Sequence, residues 1–208
     1  LITWAIMMEG GIQINSTGKR FSNEHEGYSE QSIKVLQQLD GIAWNIFDER
    51  LHQLGLGFED YRVAVSNGAV KSFASIDKLA AYIDASAEII ASSIKDIEAF
   101  TIGKKKCPFG RNFEHTSVLK GPPYYGVKVT GALFHTQGGL LVDTEARVLR
   151  QDGSVISGLF AAGGAAVGVS GAGVEGYLSG NGLLMAVNLG YLAGQSAAKS
   201  ARTKKRPE

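Results

Sequence analysis

Alternating apolar and polar residues open the chain, helical spacing follows, and short strands return near its end, so periodicity alone divides it into regions of different kind. Gly11 to Asn15 alternates, Ser16-Thr17-Gly18 supplies a turn and Lys19-Arg20-Phe21 resumes, a pattern that predicts a β-hairpin. A helix is expected from Ser29, whose hydroxyl is placed to cap it, through Ile33, Val35, Leu36 and Leu39, with Gly41 as its end. Ile42 to Phe47 reads as a strand, and Asp48 as the cap of a short helix carrying Leu51 and Leu54. Two further helices start at Ser75, with Ile76, Leu79 and Ala80, and at Ser86, with Ile89, Ile90, Ile94 and Ile97. These elements predict a compact α+β unit.

Gly103 to Pro123 is basic, punctuated by proline and glycine, and reads as a long connecting loop. Beyond it, strands are expected at Tyr125–Thr130, Gly139–Val142, Arg147–Leu149 and Leu159–Ala161, with Asp152-Gly153 as a hairpin turn. A final helix from Asn181 to Ala198 would bury Leu183, Leu184, Val187, Tyr191 and Leu192. The opening Leu1-Ile2-Thr3-Trp4 lacks an initiator methionine and reads as an internal strand of a longer protein. It is too short to span a bilayer and too irregular for a signal peptide.

Composition narrows the function classes. The 208 residues are 44% hydrophobic and 20% charged, enough for one or two domains with real cores. A net charge of +1 argues against nucleic acid or a membrane surface as the main partner. The clustered charges, Lys104 to Lys106 and the tail at Arg202, Lys204, Lys205 and Arg206, read as a solvated loop and a frayed terminus. Cys107 is alone, which excludes a disulfide within the chain, disfavours a cysteine metal cluster and is compatible with a reducing, cytoplasmic location. His25, His52 and His115 show no metal spacing and read as polar surface or loop residues. No metal site is expected.

The chemistry concentrates in the last third, GLFAAGGAAVGVSGAGVEGYLSGNGLLMAV. A strand runs through glycine-rich turns into a helix, the layout of a cofactor cradle, although glycines there also suit a tight structural bend. With Ser179 as cap and the small Gly180 and Gly182, the N–H groups of Asn181, Gly182, Leu183 and Leu184 would point outward and favour negative charge. The GxGxxG fingerprint between a first strand and its helix, which holds a dinucleotide pyrophosphate, is missing.

The ordered set GGIQINSTGKRFSNE, LFHTQGGLLVD, ARVLRQDGSVISGLFAAG and SGNGLLMAVNLGYLAGQSAA resembles the fumarate reductase/succinate dehydrogenase flavoprotein-like family, which includes 3-ketosteroid Δ1-dehydrogenases. The matches span about Gly10 to Ala198. The resemblance implies a capping domain over residues 1–131 and the last part of a Rossmann-like FAD-binding domain over 132–200, incomplete in this chain, before a disordered basic tail at 201–208. It implies FAD as cofactor, with the ADP-binding segment upstream of Leu1, and cofactor contacts at His135, Thr136, Gly163, Gly164, Gly180, Asn181, Leu183 and Leu184. Gly164 stands where many members carry an acidic or amide side chain. His135 is expected to hold its backbone against the flavin. Arg20, Asn23 and Glu24 are expected to form an ion-pair knot that steadies the hairpin.

The departures bear on substrate. Tyr28 stands where fumarate-reducing members place an arginine acid, Phe134 where they place a substrate histidine, and Tyr177 where a second arginine binds carboxylate. Without those guanidinium forks a dianion loses its bidentate partners. The ketosteroid pattern implies Tyr28 as proton-transfer residue and Tyr177 as carbonyl partner, although Asn181 stands where the steroid enzymes carry glycine. The expected activity is hydride transfer between flavin and an activated C–C bond of a small, non-dicarboxylate substrate, with an unidentified electron partner. A dicarboxylate enzyme and a non-catalytic binding or assembly module are the alternatives. The isolated fragment is expected to be inactive.

Overall fold

The computed structural model describes residues 2–114, 116–133 and 135–204; Leu1, His115, Phe134 and the last four residues lie outside the described residues. The chain consists of two compact units, Leu1–Ala132 and Leu133–Glu208.

Of the strand expected at Leu1 to Trp4, Ile2 and Thr3 are irregular and Trp4 is a turn, Leu1 lying outside the described residues; a short helix, α1 (Ala5–Met8), follows, with Ile6 and Met7 fully buried. Strand β1 (Ile12–Ile14) follows, and the predicted hairpin reduces to one bridge, Ile14 to Arg20, around a turn at Gly18 with φ 85°. Helix α2 (Tyr28–Leu36) begins one residue earlier than predicted. Its N-cap is Gly27, and no side chain caps it, so Ser29 lies inside the first turn. A short 3-10 turn at Leu39–Gly41 leads into β2 (Ile42–Asp48), which is buried along nearly its whole length because it lies between β1 and another strand. That accounts for its almost continuous apolar run.

Asp48 caps α3 (Glu49–Gly55) by accepting from the Leu51 N–H at 3.1 Å. Helix α4 (Glu59–Ser66) and strand β3 (Val70–Phe73) carry little apolar periodicity, each with one buried side chain, Tyr61 and Phe73, and neither was expected. Ser75 and Ser86 cap α5 (Ile76–Ile83) and α6 (Ala87–Thr101) as the sequence implied, each hydroxyl accepting a backbone N–H at 3.3 Å. Strand β4 (Tyr124–Thr130) completes an antiparallel sheet of order β1-β2-β4-β3. Lys71 and Ser72 face solvent on the edge strand β3, a common way to blunt an open edge.

The 103–123 segment is irregular, yet it is not merely a solvated connection. Lys104 to Lys106 are exposed, with Lys105 paired to Asp96 at 2.7 Å, whereas Arg111, Phe113 and Leu119 are buried in the core.

The second unit is sparser. Strands β5 (Arg147–Leu149) and β6 (Val155–Phe160) form a hairpin whose turn matches the Asp152-Gly153 signal: Gly153 has φ 81°, and the Asp152 carboxylate accepts from the Ser154 N–H at 2.9 Å. The strand predicted over Gly139–Val142 reduces to two single bridges, Leu140 to Ala166 and Val142 to Val148. Helix α7 (Asn181–Lys204) runs past Ala198, so the basic tail is helical through Lys204. Its apolar face is not buried as predicted: Leu183 is 77% and Tyr191 66% exposed, Leu184 and Val187 are also exposed, and Leu192 is half-buried. Among the described residues Val148, Ala161 and Ala166 make up the buried cluster here, too few to cover a helix of 24 residues.

Candidate functional site

In the first unit the RFSNE stretch closes on itself. Glu24 is fully buried and receives Arg20 in bidentate fashion, Nε to Oε1 at 2.8 Å and NH2 to Oε2 at 2.6 Å. The backbone N–H of Gln13 donates to Glu24 Oε1 at 3.1 Å. A second guanidinium, Arg111, donates to Glu24 Oε2 at 3.1 Å, to the Gly11 carbonyl at 2.8 Å and to the Met7 carbonyl at 3.0 Å. Asn23 takes no part in the ion pairs; its side chain accepts from the His25 N–H in a local turn.

Burial alone would raise the Glu24 carboxyl, but the Arg20 hydrogen bonds and charge, with the Arg111 charge, hold it below the usual carboxylate range. Arg111 itself is pulled down, chiefly by burial. Phe113 lies under both guanidinium groups, 5.2 Å from Arg20 and 4.6 Å from Arg111, and Arg20 also reaches Cys107 at 3.6 Å. Sequence reading missed Arg111 because it sits in an irregular stretch, where no periodicity separates a buried arginine from a solvated one.

Four residues beyond Glu24, Tyr28 is the first residue of α2 and is 43% exposed. Gly27 before it has φ 122°, a conformation that glycine adopts at no steric cost. His25 is half-buried with Nε2 at 3.3 Å from the Met7 carbonyl, and burial, then the Arg111 charge, lowers its pKa. His52, expected at the surface, stacks on Tyr125 with ring centres 4.2 Å apart and bonds the Tyr61 hydroxyl at 2.8 Å. Among the described residues no cluster of three or more metal-ligating side chains occurs.

The second unit gathers most of the remaining candidates around the start of α7. Gly163 has φ 57°, and a Cβ added there would lie 3.3 Å from the Ala186 side chain, so the loop approaches the helix closely. Gly164 and Gly180 face open space. The His135 ring rests on Gly182, where an added Cβ would come within 3.2 Å, and meets Tyr177 edge-on with centroids 6.3 Å apart. Thr136 is exposed.

Two of the four helix-start donors expected to be free are taken: Asn181 N–H donates to the Leu178 carbonyl and Leu184 N–H to that of Gly180. Gly182 and Leu183 keep N–H groups without a partner among the described residues. Asn181 is 3% exposed, and its side chain is turned inward to Ser170 Oγ, which also accepts from the Leu178 N–H. Its side chain therefore braces the Tyr177 loop.

A pair of adjacent free N–H groups at the positive end of a long helix is suited to a carbonyl oxygen or an anionic ring edge. Among the described residues nothing comparable serves a pyrophosphate. Residues 171–176 match the letters GxGxxG, but no strand leads directly into them, β6 ending at Phe160, and they end in a 3-10 turn rather than an α-helix. Phe134 lies outside the described residues.

Residues 1–183 match the FAD binding domain family, and the chain belongs to it. Among curated relatives, a probable fumarate reductase, Ifc3, of Shewanella frigidimarina is 32% identical over 98% of this chain and 34% of its own length. A 4-oxocyclohexanecarboxylate 2-dehydrogenase of Sinomonas cyclohexanicum is 30% identical over 92% of this chain and 37% of its own length. Among solved structures, the open conformation of a flavocytochrome c3 fumarate reductase superposes with a TM-score of 0.74 at 30% identity, covering 97% of this chain and 34% of that one. The chain thus spans about a third of the length of these relatives. No helix among the described residues is long and apolar enough to cross a membrane.

Proposed function

We propose that this chain supplies the substrate cap and the flavin-facing wall of an FAD-dependent oxidoreductase acting on a C–C bond activated by a carbonyl group. The first unit is the cap; the second is the closing part of a Rossmann-like FAD-binding domain. One observation carries the reading: the Gly182 and Leu183 N–H groups at the start of α7, without a partner among the described residues and flanked by His135, Tyr177 and open glycines. Such donors fit the N1/O2 edge of an isoalloxazine ring, and the exposed apolar face of α7 fits a helix covered by the rest of a larger domain. The remainder of the cofactor, including the pyrophosphate, falls to polypeptide beyond this chain.

When bound, FAD supplies a two-electron hydride acceptor or donor. The protein's own part is to orient substrate and manage the proton. Tyr177 donates a hydrogen bond to the substrate carbonyl and so makes the adjacent C–H more acidic. Tyr28 takes or gives the proton on the neighbouring carbon. The fully apolar or phenolic side chains at Tyr28, Phe134 and Tyr177 leave no fork for a dianion, which favours a neutral or singly charged carbonyl compound. The dehydrogenase relative from Sinomonas acts on a cyclic oxo acid by its name and supports this class. A reducing, cytoplasmic setting belongs to the same proposal.

The similarity to fumarate reductases favours a second reading, an atypical dicarboxylate enzyme. Reoxidation of the reduced, FAD-loaded longer polypeptide by cyclohex-2-enone and by fumarate separates the two. Faster reoxidation by the enone is expected, with at least a hundredfold loss in Tyr177→Phe; rapid turnover of fumarate alone would replace the first reading by the second.

A further inference from the structure

Helix α2 is attached to its unit in an unusual way. Its N-terminus has no side-chain cap, its apolar Ile33 and Leu36 are exposed, and its only buried side chains are Gln31 and Val35. An amide therefore does half of the anchoring. Gln31 is 1% exposed, and its Nε2 donates to Gln13 Oε1 at 2.7 Å and to Ser22 Oγ. Gln13 Nε2 in turn donates to Asn45 Oδ1 at 2.8 Å. All four residues are buried, and the chain of amides runs from α2 through β1 to β2 with every donor pointing the same way. Such alignment strengthens each bond, and it fixes the rotamer: a flipped Gln31 would set its carbonyl against that of Gln13. Gln13 also donates its backbone N–H to Glu24, so the relay is tied to the ion knot.

Buried amides are a poor source of stability compared with apolar side chains, and Gln31 Oε1 has no partner at all among the described residues. What a directional network does provide is one orientation. Tyr28 lies three residues before Gln31, on the same side of the helix. We propose that Gln31, held by Gln13, Ser22 and Asn45, is the positioning residue of Tyr28, setting the rotation of α2 and hence the direction of its phenol. This deepens, and rests on, the reading of Tyr28 as the proton-transfer residue.

The test uses the full chain labelled with ¹³Cζ-tyrosine. In Gln31→Met the Tyr28 resonance is expected to move and broaden while that of buried Tyr61 stays in place. Gln13→Met, a change in β1 remote in sequence from α2, is expected to move the same resonance, and Ser22→Ala to move it less. An unchanged Tyr28 resonance in a folded Gln31→Met or Gln13→Met protein overturns the proposal; should Gln31→Met fail to fold, Gln13→Met and Ser22→Ala decide it.

In the FAD-loaded longer polypeptide, Gln31→Met is expected to lower kcat about tenfold with little change in KM, and to add nothing in a Tyr28→Phe background. Independent, multiplying losses would mark a merely structural role and contradict the proposal. If Tyr28→Phe itself costs nothing, the catalytic reading of Tyr28 fails, while the resonance shift still decides whether Gln31 positions it.

Discussion

The two units solve the problem of burial in opposite ways. Residues of every helix and strand from α1 to β4 except α2 meet in one core in the first unit, and its polar interior is closed by the Glu24 knot and the Gln13 relay. Among the described residues the second unit has four buried apolar side chains, Ala146, Val148, Ala161 and Ala166, and a long helix on which Leu183, Leu184, Val187 and Tyr191 are exposed. At roughly 25 cal/mol per Å² of apolar surface removed from water, such a small cluster cannot offset the conformational entropy of ordering the segment. The contrast teaches that the first unit carries an extensive core of its own, while the second has little apolar burial of its own to hold α7 in place.

The largest effect should come from separating the units. Residues 1–132 expressed alone should unfold cooperatively in urea with intact near-UV circular dichroism, while 133–208 alone should show no cooperative transition. A cooperative transition in the isolated second unit would remove the contrast.

Next in size is the ion knot. Glu24→Ala leaves two buried guanidinium groups facing each other and should destabilise the first unit by about 3–5 kcal/mol in urea unfolding. The same carboxylate gives a pH signature. Its folded pKa lies below its unfolded value of about 4.3, so its contribution is present at neutral pH and is lost as pH falls below that value toward the folded pKa. Acid unfolding of wild type should therefore steepen below about pH 4, and Glu24→Ala should lack that component.

Smaller is the Asp48 cap, whose second oxygen also accepts from the Lys120 N–H at 2.8 Å. Asp48→Ala should cost about 1–2 kcal/mol in the same assay. Smallest is Ser86→Ala at the start of α6, about 1 kcal/mol, with no effect on flavin binding by the longer polypeptide.

Much of the first unit was legible because its signals are local. Asp48, Ser75 and Ser86 cap where their spacing to the following apolar residues said they would, and β2 stood out as an apolar run. Helix α4 and strand β3 were not legible, since each buries one side chain and the rest of their surface is polar. Arg111 and Gln31 escaped notice for a related reason: a buried polar residue looks like a solvated one until its partners, distant in sequence, are known.

In the second unit the reading failed in the opposite direction. The apolar stripe on α7 is correct as a pattern, but burial is a property of the assembled surface, and Leu183, Leu184, Val187 and Tyr191 are left exposed among the described residues. The donors were overcounted because Leu178 and Gly180 turn their carbonyls back onto the helix start, which spacing does not reveal.

The claim that the start of α7 holds the flavin edge is tested most directly by hydrogen–deuterium exchange at single-residue resolution on the longer polypeptide, with and without FAD. Binding should slow exchange at Gly182 and Leu183 and leave Asn181 and Leu184, already bonded, nearly unchanged. Unaltered exchange at Gly182 and Leu183 in protein whose absorption spectrum shows a full complement of flavin would contradict it.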